Sequence, residues 1–133
     1  MHRKFLIAAV VLSGLAVAAG AFGAHGLQRI TSDTKIIQGY QTAVQYMGWH
    51  AMAVLIIAIL MNGDFHRQWL KRAGYCMLAG IFLFSGSLFA ITSLKIQGSG
   101  LTKAIGPVTP VGGLLLIIGW LFLLFALLKK NKS

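Results

Sequence analysis

Acidic residues are almost missing from this chain of 133 residues, which has only two of them, Asp33 and Asp64. They lie in separate polar segments, so the sequence offers no carboxylate pair for acid–base catalysis. A single cysteine, Cys76, excludes an internal disulfide and any cysteine-based metal site. The chain also lacks a phosphate-binding loop, a haem attachment motif and a nucleotide-binding fingerprint. It therefore predicts no cofactor.

Charge of either sign is scarce as well. Charged residues make up 11% of the chain and apolar residues 57%, whereas a soluble domain has about 25% charged residues. Each of four uncharged runs exceeds the roughly 20 residues that a transmembrane helix needs; the runs are Phe5–Gln28, Ile36–Gly63, Ala73–Leu94 and Ala104–Leu128. We predict an all-α integral membrane protein, a four-helix transmembrane bundle that forms one membrane domain, with spans at about 5–26, 41–61, 73–94 and 110–128.

The net charge of +10 comes from basic residues grouped at the ends of the apolar runs. They form no basic stripe or arm, which argues against a nucleic-acid partner. Eight of the twelve fall in the two termini and the second loop, and four in the other two loops. Because basic residues accumulate on the cytoplasmic side, both termini are predicted to be cytoplasmic. The terminal Lys129, Lys130 and Lys132 are expected to touch anionic lipid head groups.

The first apolar run has two possible interpretations. Basic residues, an apolar stretch and Ala19-Gly20-Ala21 imitate a secretory signal peptide with its cleavage site. The uncharged stretch continues to Gln28, however, which favours a retained first helix. Its many glycines and alanines allow close helix approach in lipid, so this helix is expected at the centre of the bundle.

Polar side chains concentrate in the half of the predicted bundle that lies away from the termini. The second span carries Gln41 and Gln45, and a second row that includes Tyr46 and His50 is expected on the same side of that helix. Polar groups in hydrocarbon are costly and tend to be functional or paired. We therefore hypothesise an outward-facing polar pocket whose candidate residues are His25, Gln41, Gln45, Tyr46, His50, Ser85, Ser87 and Thr109.

The same residues have alternative interpretations. His25 and His50 could simply hydrogen-bond across helices and fix the packing, or they could form a ligand or proton site. Two histidines without a carboxylate or thiol are an incomplete metal set, so no metal site is predicted. A dyad of Ser85 or Ser87 with His50 is conceivable, but no nucleophile motif accompanies it. The chain is therefore predicted not to be an enzyme.

Two further local expectations concern the fourth span and the tryptophans. Thr109 followed by Pro110 fits a helix N-cap with proline at the first helical position. Trp69 suits the inner membrane interface, whereas Trp120 lies too deep for an interface belt and is expected to pack within the bundle.

Four sequence blocks, in the same order along the chain, resemble the YgdD-like family of small membrane proteins, also known as domain of unknown function four-two-three. The blocks are Gly20–Leu27, Thr42–Tyr46 with His50-Ala51, Phe84–Leu88, and Thr109–Gly113 with Gly119-Trp120. The resemblance covers nearly the whole chain. It implies a four-helix inner-membrane protein of a bacterium and supplies no activity.

The predicted function is that of a non-catalytic accessory or structural subunit in the cell inner membrane. An accessory subunit needs only a packed bundle and a surface that faces a partner. Its partners would be the lipid bilayer and a homo-oligomer or larger membrane complex. The alternative is binding or transport of a small molecule or lipid through the polar pocket.

Overall fold

The computed structural model describes residues 2–129, so Lys130 and Lys132 lie outside the described residues. All six regular elements of this part are α-helices. Four are long and apolar enough to cross a membrane, and the shortest of these, with 21 residues, is about 32 Å long at 1.5 Å per residue. The elements are α1 His2–His25, α2 Leu27–Ile30, α3 Thr34–Leu60, α4 Arg67–Ile96, α5 Thr102–Ile105 and α6 Val108–Leu128.

The long helices extend into the flanking polar segments. α3 begins at Thr34, well before the expected start of the second span, because Asp33 caps it and accepts a hydrogen bond from the Lys35 amide at 2.9 Å. α6 begins at Val108 and has Pro107 at its N-cap position. The predicted Thr109 cap is therefore wrong. Thr109 lies inside the first turn, where the following proline is tolerated because the first helical amides need no intrahelical acceptor.

The long helices pack in the order α1, α3, α4 and α6, with the apolar core around the contact of α3 with α4. Fully buried alanines of α3, among them Ala51 and Ala58, let the helices approach closely. The contact of α4 with α6 is closer still. Gly112 of α6 lies against the α4 backbone at Leu83 and Phe84, where a Cβ atom would have no room.

Helix α1 lies at the edge of the bundle and not at its centre, which corrects the expectation from its small residues. Its buried residues, which include Ala9, Ala16 and Gly23, form one face, and its main packing partner among the long helices is α3. The opposite face carries Gly14, Ala18 and Ala21 and is exposed. Small residues permit close packing on either face, and only one face is used within this chain.

Candidate functional site

His50 lies at mid-length of α3 and is 6% exposed. Its Nδ1 is 2.7 Å from the Tyr46 carbonyl oxygen, and the Trp120 Nε1 of α6 is 3.1 Å from its Nε2. An indole N–H can only donate, so Nε2 accepts and the ring proton is assigned to Nδ1, which donates to Tyr46. Both ring nitrogens of a neutral imidazole are thus satisfied, and the histidine links α3 to α6.

A groove opens beside this pair, between α3 and α6. Its volume is about 860 Å³, and aromatic side chains from three helices form much of its wall. Pro110 lies in the first turn of α6 and Trp120 about 15 Å further along the axis, which is half of a roughly 30 Å hydrocarbon core. The groove is lined by Tyr46, Trp49, His50, Met52, Phe84, Pro110, Gly113, Leu114, Leu116, Ile117 and Trp120.

Two serines of α4 join this helix to its neighbours. The Ser85 hydroxyl is buried and donates to the Ala43 carbonyl of α3 at 2.7 Å. The Ser87 hydroxyl is 2.9 Å from the Phe84 carbonyl and 2.6 Å from the Thr109 hydroxyl of α6. Since Ser87 donates to Phe84, the Thr109 hydroxyl is the donor to Ser87. Neither serine hydroxyl is bonded to His50, so the conceivable serine–histidine dyad is not formed.

Gln41 and Gln45 do not line the groove beside His50. Gln41 and Gln45 are exposed and line a shallow cavity of about 320 Å³ between α1 and α3. His25 is exposed at the end of α1. The predicted common side for the two rows on α3 is wrong. At 3.6 residues per turn, nine residues rotate the helix by about 180°, so His50 lies opposite Gln41.

The structure thus brings some candidate residues together and separates others. Tyr46 and His50 stack with ring centroids 5.7 Å apart, and Ser87 pairs with Thr109. Ser85 binds the backbone between α3 and α4, while the glutamines and His25 lie elsewhere. Within residues 2–129 there is no group of three His, Cys, Asp or Glu side chains that could hold a metal ion.

Two hydrogen bonds between helices were not predicted from the sequence. Trp120 is the partner of His50, and a signal existed for it, because an indole N–H at mid-membrane needs an acceptor. Tyr40 donates its hydroxyl to the Ala19 carbonyl at 2.6 Å and so joins α3 to α1. No spacing pattern indicated that bond. Trp69 lies in the first turn of α4, and its ring contacts Phe122 and Phe125 near the end of α6; its place at the inner interface stays a prediction.

Comparison with known proteins agrees with the resemblance in the sequence. Residues 19–113 match a family model described as "Protein of unknown function (DUF423)". A UPF0382 membrane protein of Staphylococcus aureus is 38% identical over 128 residues, which are 96% of this chain and 97% of that protein. The UPF0382 membrane protein YwdK of Bacillus subtilis is 38% identical over 127 residues, 96% of this chain and 98% of its own length.

Relatives are not confined to bacteria. A UPF0382 membrane protein of the yeast Schizosaccharomyces pombe is 32% identical over 106 residues, which are 80% of this chain and 86% of the yeast protein. No solved structure matches the chain significantly.

Proposed function

The chain belongs to the DUF423 family of membrane proteins, whose function is unknown, and we propose that it is a non-catalytic accessory subunit of a larger membrane complex. The observation that carries the proposal is the exposed small-residue face of α1, formed by Gly14, Ala18 and Ala21. In lipid, such faces are typical of helix–helix contacts, because small side chains let two backbones approach closely. The exposed His25 continues this face by one turn and adds a polar group for a partner helix.

The polar side chains within the bundle support the same role. The hydroxyls of Ser85, Ser87 and Thr109 and the imidazole of His50 bond within the chain and join neighbouring helices. Hydrogen bonds of this kind contribute about 0.6 kcal/mol each in membrane proteins. Groups engaged in this way fix the helix packing and are not poised for chemistry, which favours a scaffold or subunit over an enzyme.

The experiment compares two substitutions on the same exposed face of α1. A Cβ atom at Gly14 meets nothing within 4 Å, so Gly14→Leu leaves the isolated bundle intact and fills the small-residue face. Val11→Leu, one turn away at a position that is 53% exposed and already bulky, is the control. The tagged protein is extracted from its native membrane in mild detergent, and the mass of the assembly is measured.

We expect wild type to form a stoichiometric complex larger than one chain. Val11→Leu should preserve this complex, and Gly14→Leu should dissociate it. A monomer in all three samples contradicts the proposal. If the assembly is a homo-oligomer and Gly14→Leu dissociates it, the exposed face of α1 is an association surface, but the accessory role in a larger complex is contradicted.

For the cellular setting, we propose the inner membrane of a bacterium with both termini cytoplasmic. The excess of basic residues at the termini and in the segment between α3 and α4 supports this orientation. A C-terminal green fluorescent protein should fluoresce and a C-terminal alkaline phosphatase should be inactive. The reverse pattern contradicts the orientation.

A second candidate function is favoured by the groove between α3 and α6. It reaches from the membrane interface to mid-membrane, and the Tyr46 hydroxyl makes no hydrogen bond within the described chain. We propose as occupant an amphiphile with an apolar chain and a hydrogen-bonding group. Ile117→Trp fills the groove from an exposed position, whereas Leu124→Trp adds the same bulk on α6 outside it. Loss of a co-purified amphiphile in the first variant only is expected, and equal retention in both contradicts binding in the groove.

A further inference from the structure

Two cationic side chains lie over the ring of Trp69, at the end of the bundle where α1 begins and α6 ends. The guanidinium carbon of Arg72 lies 4.7 Å from the centroid of the indole ring, and the Lys129 Nζ lies 5.6 Å from it. Arg72 belongs to α4, whereas Lys129 directly follows α6. Two separate parts of the chain thus bring positive charge to one ring, and we call these three residues the Trp69 surface.

The ring itself is held firmly. Phe122 and Phe125 of α6 pack against Trp69 with ring centroids 5.2 and 5.5 Å away. A cation over the face of an indole is attracted by the quadrupole of the ring. The Trp69 surface therefore holds both charges in place before any ligand arrives, and less side-chain entropy is lost when an anion binds.

No acidic side chain in the part of the chain that the structure describes forms an ion pair with these charges. Asp33 caps α3 at the opposite end of the bundle, and no ion pair joins Asp64 to a basic side chain among residues 2–129. Arg72 and Lys129 are both exposed, and Arg67 and Lys71 add positive charge in the first turns of α4. An uncompensated group of cations at one level of the membrane attracts an anion from outside the protein.

The position of the ring indicates the source of that anion. Trp69 lies in the first turn of a membrane-spanning helix, which is the level at which tryptophan meets the head groups. Basic pockets between transmembrane helices at this level are suited to acidic lipid head groups. We propose that the Trp69 surface binds the phosphate of an anionic phospholipid in the leaflet that faces the chain termini.

In this site the Arg72 guanidinium donates hydrogen bonds to the phosphate oxygens, since its planar fork matches their geometry. Lys129 contributes a second charge from the end of α6, so the bound lipid bridges α4 and α6. The acyl chains lie along the apolar residues of these two helices.

The test measures lipid retention by native mass spectrometry. The purified protein is equilibrated in micelles with equal amounts of phosphatidylglycerol and phosphatidylcholine. The variant Arg72→Gln/Lys129→Gln removes both charges from exposed positions. The matched control, Lys95→Gln/Lys103→Gln, removes two exposed charges from the opposite end of the bundle. Thermal unfolding of each variant checks that the fold is retained.

We expect wild type and the control pair to retain phosphatidylglycerol preferentially. Each charge near an anionic membrane surface contributes about a five-fold change in affinity. The Arg72→Gln/Lys129→Gln variant should therefore bind phosphatidylglycerol about 25-fold more weakly than wild type. An equal loss in both pairs would show general surface attraction and overturn the site, as would unchanged retention in the Arg72/Lys129 variant. Retention of inorganic phosphate by wild type without preferential retention of phosphatidylglycerol would show a site for the soluble anion and would also overturn the proposal.

Discussion

The close contact of α4 with α6 gives the sharpest prediction about stability, through Gly112→Ala. A Cβ atom at this position would lie 2.7 Å from the Leu83 carbonyl carbon and 2.8 Å from the Phe84 Cα. These are backbone atoms of a neighbouring helix, so no side-chain rotation can relieve the overlap. The two helices must move apart, and the buried contacts along their interface weaken together.

The expected loss in the free energy of unfolding follows from the close packing of the two helices. Overpacking of a well-packed interior costs about 1–3 kcal/mol, and we expect about 3 kcal/mol here because the obstructing atoms belong to the backbone. The adjacent glycine is a matched control. A Cβ at Gly113 lies 3.6 Å from the Phe84 ring, which is ordinary van der Waals contact. Gly113→Ala should therefore be neutral or stabilise the helix by about 0.5–1 kcal/mol.

The assay is reversible unfolding in mixed micelles with increasing sodium dodecyl sulfate, followed by far-ultraviolet circular dichroism. The free energies of unfolding of the two alanine variants should differ by about 3–4 kcal/mol. If both variants fall within about 0.5 kcal/mol of wild type, the size expected of a surface substitution, the close α4–α6 contact does not exist as described and the reasoning is refuted.

Two further predictions concern the hydroxyl groups that join the helices. In a double-mutant cycle with Ser87→Ala and Thr109→Val, the coupling free energy should be about 0.6 kcal/mol, and a coupling of zero would contradict the hydrogen bond between α4 and α6. Ser85→Ala should lower the free energy of unfolding by about 1 kcal/mol, because it leaves the buried Ala43 carbonyl without this donor. The exposed Ser93→Ala should have no measurable effect, and equal losses at both serines would be inconsistent with the structure.

The sequence predicted the membrane character of the fold well, for a physical reason. A helix must satisfy its own backbone in lipid, so an uncharged run such as Ala73–Leu94 has few alternatives to a transmembrane helix. The helix ends were less predictable. Polar residues beyond the hydrocarbon core can continue a helix when a side chain such as Asp33 caps it, and composition does not mark that point.

The candidate site was predicted less well, because its geometry depends on the rotation of each helix about its own axis and on which helices lie next to each other. Gln41 and His50 lie nine residues apart on one helix, and the rotation of the helix over that distance turns them to opposite sides. The small residues of α1 predicted close packing correctly but could not show that only the face with Ala9 and Ala16 is used within the chain. Trp120 could be assigned to His50 only when the positions of both helices were known.

Association through the exposed face of α1 is the central claim, and photocrosslinking in intact membranes tests it most directly. A photoreactive side chain replaces Ala18 on that face, and in a separate sample it replaces Leu121, which is 47% exposed on α6. The account predicts one protein adduct of defined mass at position 18 and lipid adducts alone at position 121. Lipid adducts alone at both positions would contradict it.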